Sequence, residues 1–268
     1  MLGGRSASRC HRHSQGTYWA EPITFLHQEP IMATPAAHSP FEHLINPVIR
    51  PRLGQTGVRD PALFHRQGVT HCFYTATWWN GDRLLTTIEQ RRSLDLQDWS
   101  EPEVIGVPGL CSPGNVLMVQ GRYVLCCQHY PMTLVAGTKV ERHDCRLWLL
   151  WSDDLIHWDA PQLVAPLGCD ELWSPDSRRQ IDPCLIDHDG RFYMLCKQGD
   201  PSVGRFGLLV SDDLQHWQTV PTEQALFGPH NVPGAGGVEN PMILRDGDEF
   251  VCFFAPCRDD HPVGVARS

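Results

Sequence analysis

SLDLQDW at residues 93–99, SDDLIHW at 152–158 and SDDLQHW at 211–217 are three copies of one seven-residue phrase. Successive copies begin 59 residues apart, at Ser93, Ser152 and Ser211. The sequence closes on GVARS, whose Ser268 follows Ser211 by 57 residues, as the first residue of a fourth copy would. A repeat of this regularity indicates that one structural unit recurs along the chain.

Between the copies, short apolar runs alternate with turn residues, and no helical pattern of about ten to twelve residues occurs. Around the first copy the runs are RDPALFHRQG, THCFYTAT, LLTTIEQRRS and WSEPEVIG, which predict four strands, and the next two units repeat this order. Four antiparallel strands at a fixed spacing predict an all-β fold, a β-propeller with about four blades in this chain. A glycine follows each first strand, where a tight hairpin needs positive φ: Gly68, Gly121, Gly190 and Gly247.

We interpret the repeated phrase as structural. Its Ser and Asp can accept backbone N–H groups in the turn between the third and fourth strands, while its Leu and Trp point inward as packing anchors. The Asp box of sialidases also ends in Trp, but it has Gly where these copies have Leu. The phrase therefore marks the blade period rather than the active site.

Composition limits the classes of partner. With 268 residues and 41% hydrophobic content, the chain can bury one large core. The net charge of -9 argues against nucleic acid, because phosphate binding rests on clustered Lys and Arg, and it favours a neutral polar partner. No apolar run approaches the roughly 18 residues of a membrane-spanning helix, so we expect no membrane partner.

The 11 cysteines lie mostly in apolar strand-like runs and are predicted to be buried free thiols. Cys126 and Cys127 are adjacent, so on a strand they are expected to face opposite sides. No spacing of His, Cys and carboxylates predicts a metal site, and no motif predicts a cofactor.

Residues 1–40 are rich in Ser, Pro, Gly and His and show neither helical nor strand periodicity. We predict a poorly ordered N-terminal extension over 1–40, with Met32 as a candidate start, and a propeller catalytic domain over 41–268. The N-terminal segment lacks the continuous apolar stretch of a secretory signal, which favours a cytoplasmic location.

Carboxylates open three of the four predicted first strands. Asp60 stands in VRDPALF, Asp182 in RQIDPCLI and Glu239 in GVENPMIL, whereas the second unit opens with CSPGNVLM. The residue before a proline is restricted toward extended backbone, which can aim its side chain into the axial funnel. Because the innermost strands line that funnel, we predict three acids in register around one polar cavity.

Three carboxylates around one cavity repel one another, so their pKa values are expected to separate. Glycoside hydrolysis uses such a separation: one carboxylate activates water or attacks the sugar, and another holds a proton for the leaving oxygen. The third can help to keep that acid protonated. The pattern therefore predicts a functional site at Asp60, Asp182 and Glu239, with the separation of pKa values that glycoside hydrolysis uses.

The segments RDPALF, IDPCLIDHDGRFYML and VENPMILRDGDEFVCFF resemble, in order and context, the three motifs of glycoside hydrolase family 43. The resemblance covers about residues 45–268 and implies a five-bladed propeller acting on arabinose- or xylose-containing glycans. By position, Asp60 is similar to the family's general base, Asp182 to its pKa modulator and Glu239 to its general acid. The family inverts anomeric configuration, which implies a base–acid separation of roughly 6.5 to 9.5 Å.

The sequence departs from the family pattern in three features. The acid motif usually reads Glu-Gly-Pro, but here it reads Glu239-Asn240-Pro241, which puts a side chain beside the expected acid. The sequence also ends at the predicted third strand of the fourth unit, so the resemblance implies a C-terminally truncated chain that lacks a fifth blade. The family's late-blade histidine, often associated with a bound cation, has no counterpart.

Five residues near the predicted mouth of the funnel are candidates for substrate binding: Trp78, Trp79, Asn115, His129 and His230. The paired tryptophans, in a predicted loop after the second strand, can form a stacking platform for a sugar ring. The amide and imidazole groups can form hydrogen bonds with sugar hydroxyls.

Two other kinds of function stay open. A non-catalytic sugar-binding propeller fragment would account for the missing blade. A glycoside phosphorylase or a retaining fructan hydrolase would use a related propeller. The phosphorylase would depend on phosphate, and the retaining hydrolase would need a carboxylate pair about 5 to 5.5 Å apart.

Overall fold

The computed structural model describes residues 41–81, 83–129, 132–135, 138–139, 145–164, 180–198, 204–220, 227–228, 231–232, 236–256 and 263–268. Within these ranges the regular elements are all β-strands, and they form four sheets arranged as propeller blades. The all-β propeller predicted from the repeat is therefore confirmed. The predicted extension over residues 1–40 lies outside the described part of the chain.

Each of the first two blades has a long central strand that pairs on both sides. The first blade contains β1 Gln55–Arg66, β2 Val69–Asn80, β3 Arg83–Ser93 and β4 Glu103–Ile105. The second contains β5 Leu110–Cys111, β6 Val116–Val119, β7 Arg122–His129, β10 Arg146–Ser152 and β11 Gln162–Leu163. Two short strands from the second unit, β8 Met132–Val135 and β9 Thr138–Lys139, extend the first sheet beside β3.

The third and fourth blades are simple antiparallel sheets in chain order. The third contains β12 Gln180–His188, β13 Arg191–Gln198, β14 Arg205–Ser211 and β15 Gln218–Thr219. The fourth contains β16 Val238–Asp246, β17 Glu249–Pro256 and β18 Gly264–Arg267. The closing GVARS is therefore in the third strand of its blade, as the spacing predicts.

The hairpins after the first strands have the expected left-handed geometry. Between β1 and β2, Gln67 and Gly68 have φ of 51° and 80°, which is the pair of positive values that a type I′ turn requires. The other three predicted hairpin glycines also have positive φ, so this prediction is confirmed at Gly121, Gly190 and Gly247.

The repeated phrase forms the predicted turn in all three blades. In the third copy Ser211 Oγ accepts the Leu214 N–H at 2.9 Å, and Asp213 Oδ1 accepts two further backbone N–H groups at 2.8 Å. The first two copies make the same bonds. The Leu of each copy has positive φ: 65° at Leu96, 65° at Leu155 and 61° at Leu214.

The strained leucines also join neighbouring blades. Leu155 and Leu214 are buried, and their carbonyl oxygens accept hydrogen bonds from side chains of the preceding blade. Gln90 Nε2 donates to the Leu155 oxygen at 2.7 Å, and Gln162 Nε2 donates to the Leu214 oxygen at 2.9 Å. The phrase is thus a turn and a contact between blades at once.

The apolar core lies between the blades. On β7, Cys126 packs into the cluster between the second and third blades, and Cys127 into the cluster between the first and second. This confirms the expected opposite orientation of the two thiols. The cysteines in the described ranges are free, and all but the half-buried Cys252 are buried, as predicted. Burial raises the pKa of the Cys127 thiol well above its usual value.

Gly114 has a steric role where the second and third blades meet. A Cβ atom on Gly114 would lie 1.8 Å from the Pro183 carbonyl oxygen, so any side chain there would force the two blades apart. Gly121 has φ of 85°, and a Cβ atom added there would meet no other atom within 4 Å. Only backbone strain therefore opposes a side chain at this position.

We predict that Gly114→Ala lowers the free energy of unfolding by about 3 kcal/mol, because the methyl group cannot be accommodated. The matched variant Gly121→Ala should lose only about 1 kcal/mol, the cost of a left-handed alanine. Urea unfolding followed by tryptophan fluorescence measures both values. Equal losses in the two variants would contradict the close contact between the blades.

Candidate active site

In the first, third and fourth blades the first strand has a register shift that includes a proline. In β1, Asp60 and Pro61 stand between the paired residues Arg59–Thr75 and Ala62–Phe73, so two residues oppose a single residue of β2. The same shift occurs in β12 after Ile181 and in β16 after Glu239. This arrangement is a β-bulge, which re-aims the side chains of the interrupted strand.

The residue before each of these prolines has left-handed backbone. Its φ is 54° at Asp60, 43° at Ser112, 53° at Asp182 and 52° at Asn240. The extended geometry expected before proline is therefore wrong. The bulge requires one residue to leave the strand conformation, and short side chains such as Asp and Asn tolerate the left-handed region best.

The predicted register of the three acids is also only partly correct. Asp60 and Asp182 occupy the same position of the bulge, but in β16 this position belongs to Asn240. Glu239 stands one residue earlier, in the ladder opposite Ala255, where β1 has Arg59. The reason is that the proline fixes the bulge, and Glu239 precedes its proline by two residues rather than one.

Asp60 is held by hydroxyl groups from two blades. Its Oδ2 atom accepts hydrogen bonds from Thr75 Oγ1 and Ser112 Oγ, both at 3.0 Å. Thr75 Oγ1 in turn accepts the Ser112 N–H at 2.7 Å, and Arg59 Nε lies 3.6 Å from Asp60 Oδ2. Ser112 occupies the bulge position of the second blade, where the sequence has no acid. The Asp60 carboxylate is therefore positioned from both sides.

Asp182 is the buried acid of the site. Its N–H donates to Gln128 Oε1 of the second blade at 2.6 Å, and its Oδ2 accepts the Asn240 N–H of the fourth blade at 3.4 Å. Burial raises the pKa of Asp182 to about 6. Lys197 lowers this pKa, whereas the negative charges of Glu239 and Asp60 raise it. Glu239 and Asp60 both lie close enough to Asp182 to raise its pKa, so the three carboxylates belong to one site.

Glu239 is bonded to a buried lysine that sequence reasoning missed. Lys197 Nζ donates to Glu239 Oε2 at 3.1 Å, and the lysine side chain is only 3% exposed, against 38% for Glu239. A sequence signal exists, because Lys197 directly follows the apolar run YMLC within a central strand. Thr75 and Gln128 accept the N–H groups of the neighbouring bulge residues, but no sequence pattern marks either of them.

The two adjacent tryptophans do not form one platform. They lie at the end of β2 rather than in a loop, and neighbouring residues of a strand face opposite sides. Trp78 packs against the buried cluster of Cys72, Tyr74 and Ala76. Trp79 faces the other side, the one shared with Thr75, and is 43% exposed. Of the pair, Trp79 is therefore the one placed for a ligand contact.

The polar candidates occupy different surroundings. Both amide atoms of Asn115 bond the backbone of Leu185, with Nδ2 donating to the carbonyl oxygen at 2.8 Å and Oδ1 accepting the N–H at 2.7 Å. Asn115 thus joins two blades, and its substrate contact stays a prediction. His129 is half-buried beside Trp148, and burial lowers the pKa of its imidazole. His230 lies outside the described residues.

The described ranges contain neither a metal-binding cluster nor a membrane-spanning helix. No group of three or more His, Cys, Asp and Glu side chains is arranged to hold a metal ion in this part of the protein. Nor do these residues include a helix long and apolar enough to cross a membrane.

Solved structures with a similar fold include glycoside hydrolases, although the sequence matches no protein-family model and no curated protein. Zg3597, a family 117 glycoside hydrolase produced by Zobellia galactanivorans, aligns with a TM-score of 0.63 and 16% identity over 82% of this chain and 69% of its own. An exo-1,5-α-L-arabinanase from a bovine ruminal metagenomic library gives 0.52 and 17%, over 82% and 73%.

The Bombyx mori GH32 β-fructofuranosidase BmSUC1 gives a TM-score of 0.52 and 19% identity, over 79% of this chain and 45% of the silkworm chain. The present chain thus spans less than half the length of the silkworm enzyme. At these identities the likeness establishes the propeller fold of this chain.

We predict that Asp182→Asn makes the protein more stable at pH 8. The pKa of Asp182 is near 6 in the folded protein and near 4 in the unfolded chain, so wild-type stability falls as pH rises through this interval. The neutral asparagine removes that loss, a gain on the order of 2 kcal/mol at pH 8 that shrinks toward pH 4. Urea unfolding at the two pH values measures it.

Asp187→Asn is the matched control, because Asp187 is exposed on the same strand. It should change stability little at either pH. A gain for Asp182→Asn that is the same at pH 4 and pH 8 would show that Asp182 is not a proton-binding group in this range.

Proposed function

We propose that this protein is a glycoside hydrolase that cleaves O-glycosidic bonds by direct attack of water. The observation that supports this most is the meeting of three carboxylates, from three different blades, at one partly buried site. Acids in unequal surroundings are what such a reaction needs, because one must accept a proton while another donates one.

The proposed roles follow the surroundings of each acid and the resemblance to family 43. Asp60 is the general base; its bonds from two hydroxyl groups suit a carboxylate that takes a proton from water. Glu239, more exposed than Asp182, is the general acid that protonates the leaving oxygen. Asp182 is the modulator, since its charge state acts on both others without needing contact with the sugar.

The proposed substrates are arabinofuranosides or xylosides, cleaved with inversion. The family resemblance supports this choice, and one of the similar folds belongs to an arabinanase. Inversion places a water molecule between the base and the sugar, whereas retention would make Asp60 a nucleophile. The anomer released first, read by proton NMR during hydrolysis, separates the two mechanisms.

We predict that Asp60→Asn and Glu239→Gln each lower kcat by about 100-fold or more on an aryl arabinofuranoside or xyloside, because general acid–base catalysis contributes about that much. The control variant Asp187→Asn removes an exposed acid from β12 and should keep full activity. Initial rates across a panel of aryl glycosides, with sucrose added to the panel, measure this.

Three results would contradict part or all of the proposed function. Unchanged turnover in either site variant would remove that residue from the mechanism. Sugar release that depends on inorganic phosphate would indicate a phosphorylase. Glycan binding in calorimetry without any release on prolonged incubation would indicate a sugar-binding protein rather than an enzyme.

We predict different effects for the two tryptophans of β2. Trp79→Ala should raise KM about 5-fold with little change in kcat, because an exposed ring that stacks on sugar contributes roughly 1 kcal/mol. Trp78→Ala should instead lower the free energy of unfolding by about 3 kcal/mol, since its ring is packed. Steady-state kinetics and urea unfolding on both variants test this. An unchanged KM for Trp79→Ala would remove it from the substrate site.

A further inference from the structure

Asn240 occupies the position of the fourth blade that Asp60, Ser112 and Asp182 occupy in the first three. All four residues have left-handed backbone, with φ between 43° and 54°, and a proline follows each of them. Because the left-handed geometry is shared, the side chain leaves the first strand in the same direction in every blade. Asp60 and Asp182 are two of the carboxylates of the site, so this direction leads into the site.

The side chain of Asn240 differs from the other three in its contacts. Ser112 Oγ donates to Asp60 Oδ2 at 3.0 Å, and Asp182 Oδ2 accepts the Asn240 N–H at 3.4 Å. Asp182 is buried, whereas Asn240 is exposed. Within the described ranges, no residue bonds the side-chain amide of Asn240. The amide is therefore free to bond a ligand.

The left-handed backbone explains only part of this residue. Glycine adopts such a φ without strain, and asparagine tolerates it better than most other residues do. In the family that the sequence resembles, glycine occupies this position, in Glu-Gly-Pro. The backbone N–H of either residue can bond Asp182, so the side chain of Asn240 adds nothing to this contact between blades. It adds a polar group directly beside Glu239 on β16.

The amide of Asn240 has a hydrogen-bonding capacity that its neighbours lack. Ionised carboxylates only accept, the Lys197 ammonium and the Arg59 guanidinium only donate, and Ser112 Oγ already bonds Asp60. A primary amide donates through its NH2 group and accepts through its oxygen, and both groups lie in one plane. Since each hydroxyl of a sugar also donates and accepts, one amide can bond two adjacent hydroxyls of a ring.

We propose that Asn240 is a specificity-determining residue: its side-chain amide bonds two adjacent hydroxyl groups of the sugar that the proposed function, on which this assignment rests, places between Asp60 and Glu239. The sugar in the site therefore carries both hydroxyls free. A substituent on either oxygen removes a hydrogen bond and leaves part of the amide unpaired, which costs affinity. Substituted chains are then poorer ligands than unsubstituted ones.

The test measures the affinity of the full chain for methyl β-D-xylopyranoside, methyl α-L-arabinofuranoside and their monodeoxy derivatives by NMR titration. In the wild type, removing either of the bonded hydroxyls should raise Kd about 5-fold, as the loss of one neutral hydrogen bond does. Asn240→Gly should raise Kd of the parent glycoside about 10-fold or more. The same variant should bind the parent and these monodeoxy ligands equally well, because the group that distinguishes them is gone.

Two further variants control the comparison. Asn240→Ala also lacks the amide but keeps a Cβ atom in left-handed backbone, so it should be less stable than Asn240→Gly and bind as that variant does. Gln218→Ala removes an exposed amide from β15, the outermost strand of the third blade, and should leave every Kd unchanged. Urea unfolding of each variant separates affinity from stability.

A hydroxyl whose removal matters only when Asn240 is present would support the sugar contact. Equal losses on hydroxyl removal in the wild type and in Asn240→Gly would overturn it, as would affinities that follow stability rather than the amide. Binding of neither methyl glycoside to the wild type would overturn it as well.

Hydrolysis of aryl glycosides decides the proposed function separately. Coupling between Asn240 and a hydroxyl without any hydrolysis would support the contact and contradict the enzyme, whereas hydrolysis without coupling would do the reverse. Where hydrolysis is seen, Asn240→Gly should raise KM about 10-fold and change kcat less, because the amide bonds the sugar before and during the reaction.

Discussion

The bulge before each inner-strand proline is the constraint on which the site depends. It forces one residue per blade into left-handed backbone, at Asp60, Ser112, Asp182 and Asn240. Strand pairing alone would give these side chains the alternating directions of a flat ladder. The register shift occurs in the first, third and fourth blades, and the equivalent residue is left-handed in all four, so the same position leaves the ladder each time.

The blades are joined at these bulges by a series of hydrogen bonds. Thr75 accepts the N–H of Ser112, and Gln128 accepts that of Asp182. These bonds position the second blade on the first and the third blade on the second. Lys197 is at the equivalent position of the third blade and donates to Glu239 instead. The N–H of Asn240 in the fourth blade is then accepted by Asp182. The proposed chemistry thus lies where a repeated structural contact has been replaced by charged groups.

Local patterns of the sequence predict the blades well and the contacts between blades poorly. The Ser-Asp turns and the hairpin glycines follow from short-range turn chemistry, so their positions could be predicted. The left-handed backbone at Asp60 could not, because the restriction by the following proline is local, whereas the bulge depends on pairing with β2. Likewise, nothing near Gly114 in sequence shows that the Pro183 carbonyl will lie against it.

At Leu214, local turn geometry and packing between blades act on the same residue. Its φ of 61° is one that glycine adopts most easily, yet the side chain is buried beneath the turn and its carbonyl oxygen bonds Gln162 of the preceding blade. A glycine would relieve the backbone strain, typically 1–3 kcal/mol per residue and so about 2 kcal/mol here, but it would leave a cavity that costs more. Glycine, which the Asp box has at this position, would adopt this backbone without strain, whereas the leucine is held there by packing between blades.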